Sequence, residues 1–226
     1  MVNPGFRIKK TFARPEKKLI DAFAGVSVAS IGDAQNRMGC MNSRIVPLNS
    51  APLAGCAFTV RVRAGENLLL HKAIDMALPG DVIVVDAQND QSHGITGELM
   101  ISWLRRRGVA GLILDGCLRD IAVIRALTDF PVYAAGVAAN GPTKAGGGEI
   151  NFPITCGGVV VNPGDIVVGD ADGVVVVSPA DAAQVLAAAK AQDAKEVRTR
   201  KEIETLTWDR SWVDAALTEK GCEFIE

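Results

Sequence analysis

Val109-Ala110-Gly111-Leu112-Ile113-Leu114-Asp115-Gly116-Cys117-Leu118-Arg119-Asp120 is the stretch that decides the fold. The apolar run Val109 to Leu114 has the length of a strand buried on both faces, and Gly116 reads as the turn that ends it. A helical pattern from Gly97 to Arg107 precedes it, so helix and strand form one unit. The same unit stands upstream, where Gly65 to Ile74 reads as helix and Pro79-Gly80-Asp81 turns the chain into the strand Val82 to Asp86. It recurs downstream with Ile121 to Leu127 as helix and Pro131 to Ala135 as a short strand. Helix-strand units in succession predict an α/β middle to the chain.

The flanks read differently. Residues 15 to 40 predict a helix, with Leu19, Ile20, Phe23 and Ala24 on one face, and a second short helix from Ser30-Ile31-Gly32-Asp33-Ala34. Ala57 to Arg63 alternates apolar and polar residues, as a strand with one wet face does. Beyond Gly136 come glycine-punctuated loops, Gly141-Pro142 and Gly146-Gly147-Gly148. Strands are then predicted at Val159 to Val161, Asp165 to Gly169 and Gly173 to Val177, the last two joined as a hairpin through Asp170-Ala171-Asp172. From Ser178, read as the N-cap, and Pro179 a long helix is predicted to about Glu204. The charged second half of that helix, with Glu196 and Arg200 four residues apart, reads as a solvated face. The alternative is an arm that leaves its own body and presents a carboxylate to a neighbouring subunit. A core of residues 1–178 and an arm of 179–226 follow.

The 226 residues are 48% hydrophobic and 22% charged, enough for one compact domain with a terminal extension. A net charge of -2 encodes no general attraction to nucleic acid or to an anionic membrane surface. The N-terminal stretch lacks the apolar segment of a secretory signal, and a cytoplasmic protein is expected. Five cysteines, widely spaced and without a C-x-x-C pair, read as reduced thiols, Cys117 among them as a packed side chain. Two histidines, His71 and His93, are too few for a multi-histidine zinc site. Any metal is therefore expected on carboxylates and water, which favours Mg2+ or Mn2+.

Arg119-Asp120 places a guanidinium beside a carboxylate at the end of a strand. An Arg fork can bind a carboxylate or keto oxygen, and Asp can hold a hard cation. Taken alone, the pair reads first as the start of the next helix, with Asp at its positive end. The loop Gly94-Ile95-Thr96-Gly97-Glu98-Leu99-Met100 also opens a helix, whose free N–H groups favour an anion, and the plainer reading of Glu98 is that it only complements the dipole. The glycine run at 146–148 lacks the Lys-Ser/Thr ending of a phosphate loop, and there is no G-x-S-x-G elbow. No lysine stands in an apolar strand, and Lys144, in its glycine-rich loop, reads as solvated rather than as a Schiff-base former. What remains is metal-assisted chemistry on a small acid.

The segments G-E-L-M (97–100), R-G-V-A-G-L-I-L-D-G-C-L-R-D (107–120) and N-P-G-D-I-V-V-G-D-A-D-G-V-V-V-V (162–177) resemble the divalent-metal pyruvate aldolases that act on 4-hydroxy-4-methyl-2-oxoglutarate and 4-carboxy-4-hydroxy-2-oxoadipate. The resemblance runs from about residue 20 to the C-terminus, and the same family includes the regulator of ribonuclease activity A. It implies a three-layer β/β/α sandwich of the swivelling-domain type with a C-terminal helical arm, assembled as homotrimers or homohexamers with sites between subunits. It implies Asp120 as the metal ligand and Arg119 on the substrate keto oxygen. Glu98 would reach water on the metal, and the backbone N–H groups of the Gly97-Leu99-Met100 segment would take the pyruvate carboxylate. Glu196 would be donated by a neighbouring subunit, and Asn67 and His71 would lie near the far end of the substrate. The implied activity is class II aldol cleavage to pyruvate, with oxaloacetate decarboxylation from the same enolate. A non-catalytic, ribonuclease-binding regulator is the competing expectation; its short members lack the arm that residues 179 to 226 supply here.

Overall fold

A computed structural model describes residues 3–225, so the outermost ends of the expected core and arm lie outside the described residues. In chain order the elements are β1 (Phe6–Ile8), α1 (Lys17–Asp21), α2 (Val28–Ala34), β2 (Val46–Pro47), β3 (Leu53–Val62), α3 (Leu68–Met76), β4 (Asp81–Gly94), α4 (Glu98–Arg106) and β5 (Gly111–Leu118). There follow α5 (Ile121–Arg125), β6 (Val132–Val137), β7 (Gly148–Ile150), β8 (Ile154–Cys156), β9 (Val159–Val161), β10 (Ile166–Asp170), β11 (Gly173–Val177), α6 (Ala182–Glu204) and α7 (Trp212–Glu219).

The three helix-strand units form the centre of the molecule. Strands β3, β4, β5 and β6 lie side by side in that order, each parallel to the next. One face packs on α3, α4 and α5 through Phe58, Leu70, Ile83, Ile101, Leu112 and Leu114. The other face, with Ala57, Val82, Val84 and Ile113, packs on a second β layer made by the β8–β9 pair and the β10–β11 hairpin. The far side of that hairpin is covered by α2 and the first half of α6, through Ile31, Val175, Val177, Ala182, Val185 and Ala189. This is the expected sandwich of helices, sheet and second β layer, with one more helical layer outside it.

Three local expectations are corrected. Gly116 is not a turn: β5 runs on to Leu118, and a Cβ at Gly116 would lie 2.9 Å from that of Ala87, so glycine serves a close approach to the bulged part of β4. The strand tolerates Asp115 because Arg44 grips its carboxylate at 2.8 and 2.6 Å and Gly157 N–H donates to it at 2.8 Å. Strand β3 is wet on only part of the expected face, where Arg61 stays half-exposed. Its Thr59 is fully buried, with the hydroxyl donating to Phe152 O at 2.7 Å. Ser178 does not cap the long helix. It opens a turn, its carbonyl accepting from Asp181 N at 3.0 Å, and the helix starts at Ala182 with Asp181 as N-cap.

All four parallel strands end their chains at the same edge of the sheet. Neighbouring loops are stitched there by backbone hydrogen bonds: Arg119 N to Thr96 O at 3.0 Å, Ala138 N to Leu118 O at 2.9 Å and Gly94 N to Asn140 O at 2.8 Å. No helix among the described residues is long and apolar enough to cross a membrane.

Candidate active site

A cavity of about 230 Å³ opens where those four strands end. Asn67 comes from the loop after β3, Thr96 and Gly97 from that after β4, Arg119 and Asp120 from that after β5, and Lys144 from that after β6. His71, Leu99 and Met100 reach it from the first turns of α3 and α4. The crevice beyond the carboxyl ends of parallel strands is where α/β sheets present loops and free helix N-termini to a ligand.

Arg119 and Asp120 share the cavity wall, and both side chains are exposed. Asp120 adopts a left-handed backbone conformation, φ +62°, which is uncommon outside glycine and is favoured by Asn and Asp. Its Oδ2 accepts from the backbone N–H of Glu98 at 3.0 Å. The carboxylate therefore faces the start of α4, where the first-turn N–H groups of Leu99 and Met100 lack intrahelical partners. Three glycines make the room. A Cβ on Gly97 would stand 2.3 Å from Asp120 Oδ2, one on Gly94 3.1 Å from Arg119 Cβ, and one on Gly141 3.1 Å from Arg119 Nη1. On the outer side, Val137, Ala138 and Ala139 give the same Arg-Asp pair an apolar flank.

The opposite wall is polar. Asn67 is buried; its Nδ2 donates to Ile95 O at 2.9 Å, which orients the amide and leaves Oδ1 without a partner among the described residues. His71 is held below its ordinary pKa by partial burial and by the nearby Lys144 ammonium, with Asp75 pulling the other way. The imidazole is thus neutral at neutral pH. Lys144 is exposed, as its loop composition suggested, yet the loop brings it to the cavity; sequence reasoning missed this because the partner that shapes the loop is Glu66, far away in the chain.

Of the residues expected at the site, Asn67, His71, Gly97, Leu99, Met100, Arg119 and Asp120 line one cavity, and Glu98 meets it through its backbone N–H. Glu196 is not brought there within one chain. It accepts from Arg200 at 3.0 Å and lines a different, larger cavity of about 670 Å³ between the turn before α2, β10 and α6. That larger space has no Arg-Asp pair on a strand end and no glycine cradle. His93 is likewise engaged elsewhere, 2.8 Å from Asp90.

The donor set suits a hard divalent cation held in part by the protein. Asp120 offers a carboxylate with one oxygen uncommitted, beside space that only glycine leaves open. No group of three His, Cys, Asp or Glu side chains stands together among the described residues, so a zinc-type all-protein cage is absent there. The cysteines match their reading as packed or free thiols: Cys117 is buried and its thiol is pushed up by burial, and the buried Cys56 thiol is pushed up to about 12.

The family comparison gives this sandwich, with its Arg-Asp pair on a strand end and a helix N-terminus facing it, the aldolase/RraA class. Residues 19–176 match the family model described as "RraA-like: Aldolase/RraA". A provisionally named 4-hydroxy-4-methyl-2-oxoglutarate aldolase of Halalkalibacterium halodurans is 38% identical over 192 residues, covering 84% of this chain and 91% of that protein. The crystal structure of Streptomyces coelicolor RraAS2, described as an unusual member of the RNase ES inhibitor RraA protein family, superposes with a TM-score of 0.74 at 26% identity, over 84% of this chain and 99% of that one. The RNA-processing inhibitor RraA of Thermus thermophilis shares the fold, with a TM-score of 0.61 at 23% identity over 67% and 92% of the two chains. This chain belongs to the RraA-like family.

Proposed function

We propose that this protein is a Mg2+- or Mn2+-dependent class II pyruvate aldolase that cleaves 4-hydroxy-4-methyl-2-oxoglutarate or 4-carboxy-4-hydroxy-2-oxoadipate and also decarboxylates oxaloacetate. The observation that carries the reading is the Arg119-Asp120 pair at the cavity wall, with the Asp120 carboxylate turned to the free N–H groups of α4. Asp120 would hold the cation. Such an ion would supply positive charge to the bound 2-oxo acid and would lower the pKa of water.

The protein's own groups do the rest. The first-turn N–H groups of Leu99 and Met100 take the substrate carboxylate, as helix N-termini do. Arg119 donates to the keto oxygen and stabilises the negative charge that grows there as the C3–C4 bond breaks into an enolate. No lysine Schiff base is needed. Asn67, whose amide is held by Ile95 O, lies in the cavity wall beside the far end of the substrate. Removal of that hydroxyl proton falls to a water molecule oriented by Glu98 and by Glu196 of a neighbouring subunit in a homotrimer or homohexamer. Lys144 and the neutral His71 face the distal carboxylate. The arm of residues 179–226 serves the assembly, and it leaves Val197, Ile203 and Leu206 exposed for a neighbouring subunit to cover.

The test is pyruvate release from both hydroxy-oxo acids and from oxaloacetate, with Mg2+ or Mn2+ added and with chelator. Release that depends on the ion supports the reading; its absence with all three substrates sinks it. Likeness to ribonuclease-inhibitor relatives favours the competing reading of a protein-binding regulator. Tight ribonuclease binding without lyase activity would replace the first reading with that one.

A further inference from the structure

Glu66 keeps only 1% of its surface exposed, between the buried Gly65 and Asn67, and its carboxylate is fully engaged. Oε1 accepts from Leu68 N at 2.8 Å, at the first turn of α3. Oε2 accepts from Thr143 Oγ1 at 3.0 Å, Ala145 N at 2.7 Å and Gly146 N at 3.0 Å. The backbone reinforces the junction: Thr143 N donates to Gly65 O at 2.7 Å and Asn67 N to Thr143 O at 3.2 Å. One carboxylate thus ties the start of the helix that carries Asn67 and His71 to both residues flanking Lys144.

A glycine-rich loop would otherwise leave Lys144 free to sample solvent, because glycine gives up the most conformational entropy on ordering. The N–H groups of Ala145 and Gly146 converge on one carboxylate oxygen while that of Leu68 meets the other, and a glutamine, with a single acceptor oxygen, cannot answer both sides. Burial alone would raise the Glu66 pKa, but the four donors outweigh it and hold the carboxyl below the usual range, so the group stays charged.

We infer that Glu66 is a positioning residue that fixes Lys144 as the counter-ion for the distal carboxylate of a 2-oxo dicarboxylic acid, while leaving the pyruvate-binding half of the cavity to Arg119 and Asp120. The inference rests on the proposed reading of the cavity as a 2-oxo acid site. Asn67, next in the chain, and His71, one turn on, are set by the same junction.

The test is calorimetric binding to the full chain, with Mg2+ present, of pyruvate and of 2-oxoglutarate. The latter carries a distal carboxylate but no 4-hydroxyl, so neither probe is cleaved. Glu66→Gln keeps the side-chain shape but replaces one acceptor oxygen by a donor. It should weaken 2-oxoglutarate at least about tenfold, the loss expected for one charge-assisted contact, and leave pyruvate within about twofold. Lys144→Met should do the same, and the double variant should be no worse than either single one, as coupled residues are. Thr143→Val, which removes one bond to the carboxylate without touching its charge, should give a smaller loss in the same direction. Unchanged 2-oxoglutarate binding in Glu66→Gln or in Lys144→Met overturns the proposal. So do equal losses for both ligands, or additive losses in the double variant. Should the wild-type chain bind 2-oxoglutarate with these dependences yet release no pyruvate from any hydroxy-oxo acid, the aldolase reading fails and the positioning role stands.

Discussion

Gly97→Ala should silence the site while sparing the fold. The backbone at Gly97 is extended, with φ -165°, so alanine adopts it without strain. Only space is at stake: the new methyl would lie 2.3 Å from Asp120 Oδ2 and 3.1 Å from Arg119 Cγ, against ordinary contact beyond 3.4 Å. The Asp120 carboxylate must therefore retreat by about 1 Å, a misplacement that costs on the order of 100-fold in rate at a reacting centre, or about 2.7 kcal/mol. The retreat also stretches the 3.0 Å bond from Glu98 N. A hydrogen bond to a charged, exposed group contributes about 1.5 kcal/mol at the low end of its range, which lowers Tm by roughly 3–6 °C for a chain of this size. The assay pairs kcat/KM for pyruvate release with a thermal melt. Gly116→Ala is the control, since its methyl would crowd Ala87 in the core at 2.9 Å, so it should lower Tm without a comparable loss of turnover. A Gly97→Ala variant within threefold of wild-type kcat/KM would refute the placement of chemistry at Asp120.

Arg119→Ala removes an exposed side chain that makes no ion pair among the described residues, so the melt should hold while kcat falls by about 10²- to 10³-fold, the usual loss of a group that stabilises developing negative charge. Arg44→Ala leaves Asp115 buried with only Gly157 N–H to answer it, and urea denaturation should show a loss of about 3 kcal/mol, the low end for a broken buried pair because Arg44 is itself half-exposed. His71 should titrate by NMR below its ordinary value. Lys144→Met should move it upward by removing the repulsion; no movement would mean that the two groups are not neighbours. Because the folded value lies below the unfolded one, the unfolded chain takes up the proton first. Stability should therefore fall as pH drops from about 6.5 toward the folded value, and His71→Gln should flatten that slope.

The helix-strand units around Val109–Asp120 were legible because each strand begins as a short apolar run after a helical pattern, which is set locally; the polar continuation of β4 to Gly94 and the run of β5 past Gly116 carry no such local mark. Most of the cavity was legible for a related reason: Gly97, Arg119 and Asp120 stand directly at strand ends and helix starts, where adjacency in sequence is adjacency in space. What depends on distant partners was not. Asp115 looks like the end of a strand unless Arg44, 71 residues away, is known to neutralise it. Lys144 looks merely solvated unless Glu66, bonded to residues 77 to 80 positions further on, is known to order its loop. The alternation in Ala57–Arg63 suggested a wet face because what covers Thr59 is distant in the chain: Phe152, 93 residues on, and the β8–β9 pair that follows it. Glu196 lies on the long helix expected for it, but a meeting with Asp120 is a matter between chains, which one chain's periodicity does not carry.

The edge at which β3, β4, β5 and β6 all terminate has a consequence for change over time. Each wall of the cavity is a separate loop on its own strand, so one wall can be rewritten without altering the strands that hold the others. The loop after β6, which carries Lys144, can vary with the far end of the substrate while the turn after β5 keeps Arg119 and Asp120. A scaffold divided in this way lets new substrates be acquired by exchanging one segment, and a graft of residues 138 to 147 has only to keep the donors at Thr143, Ala145 and Gly146 that meet Glu66.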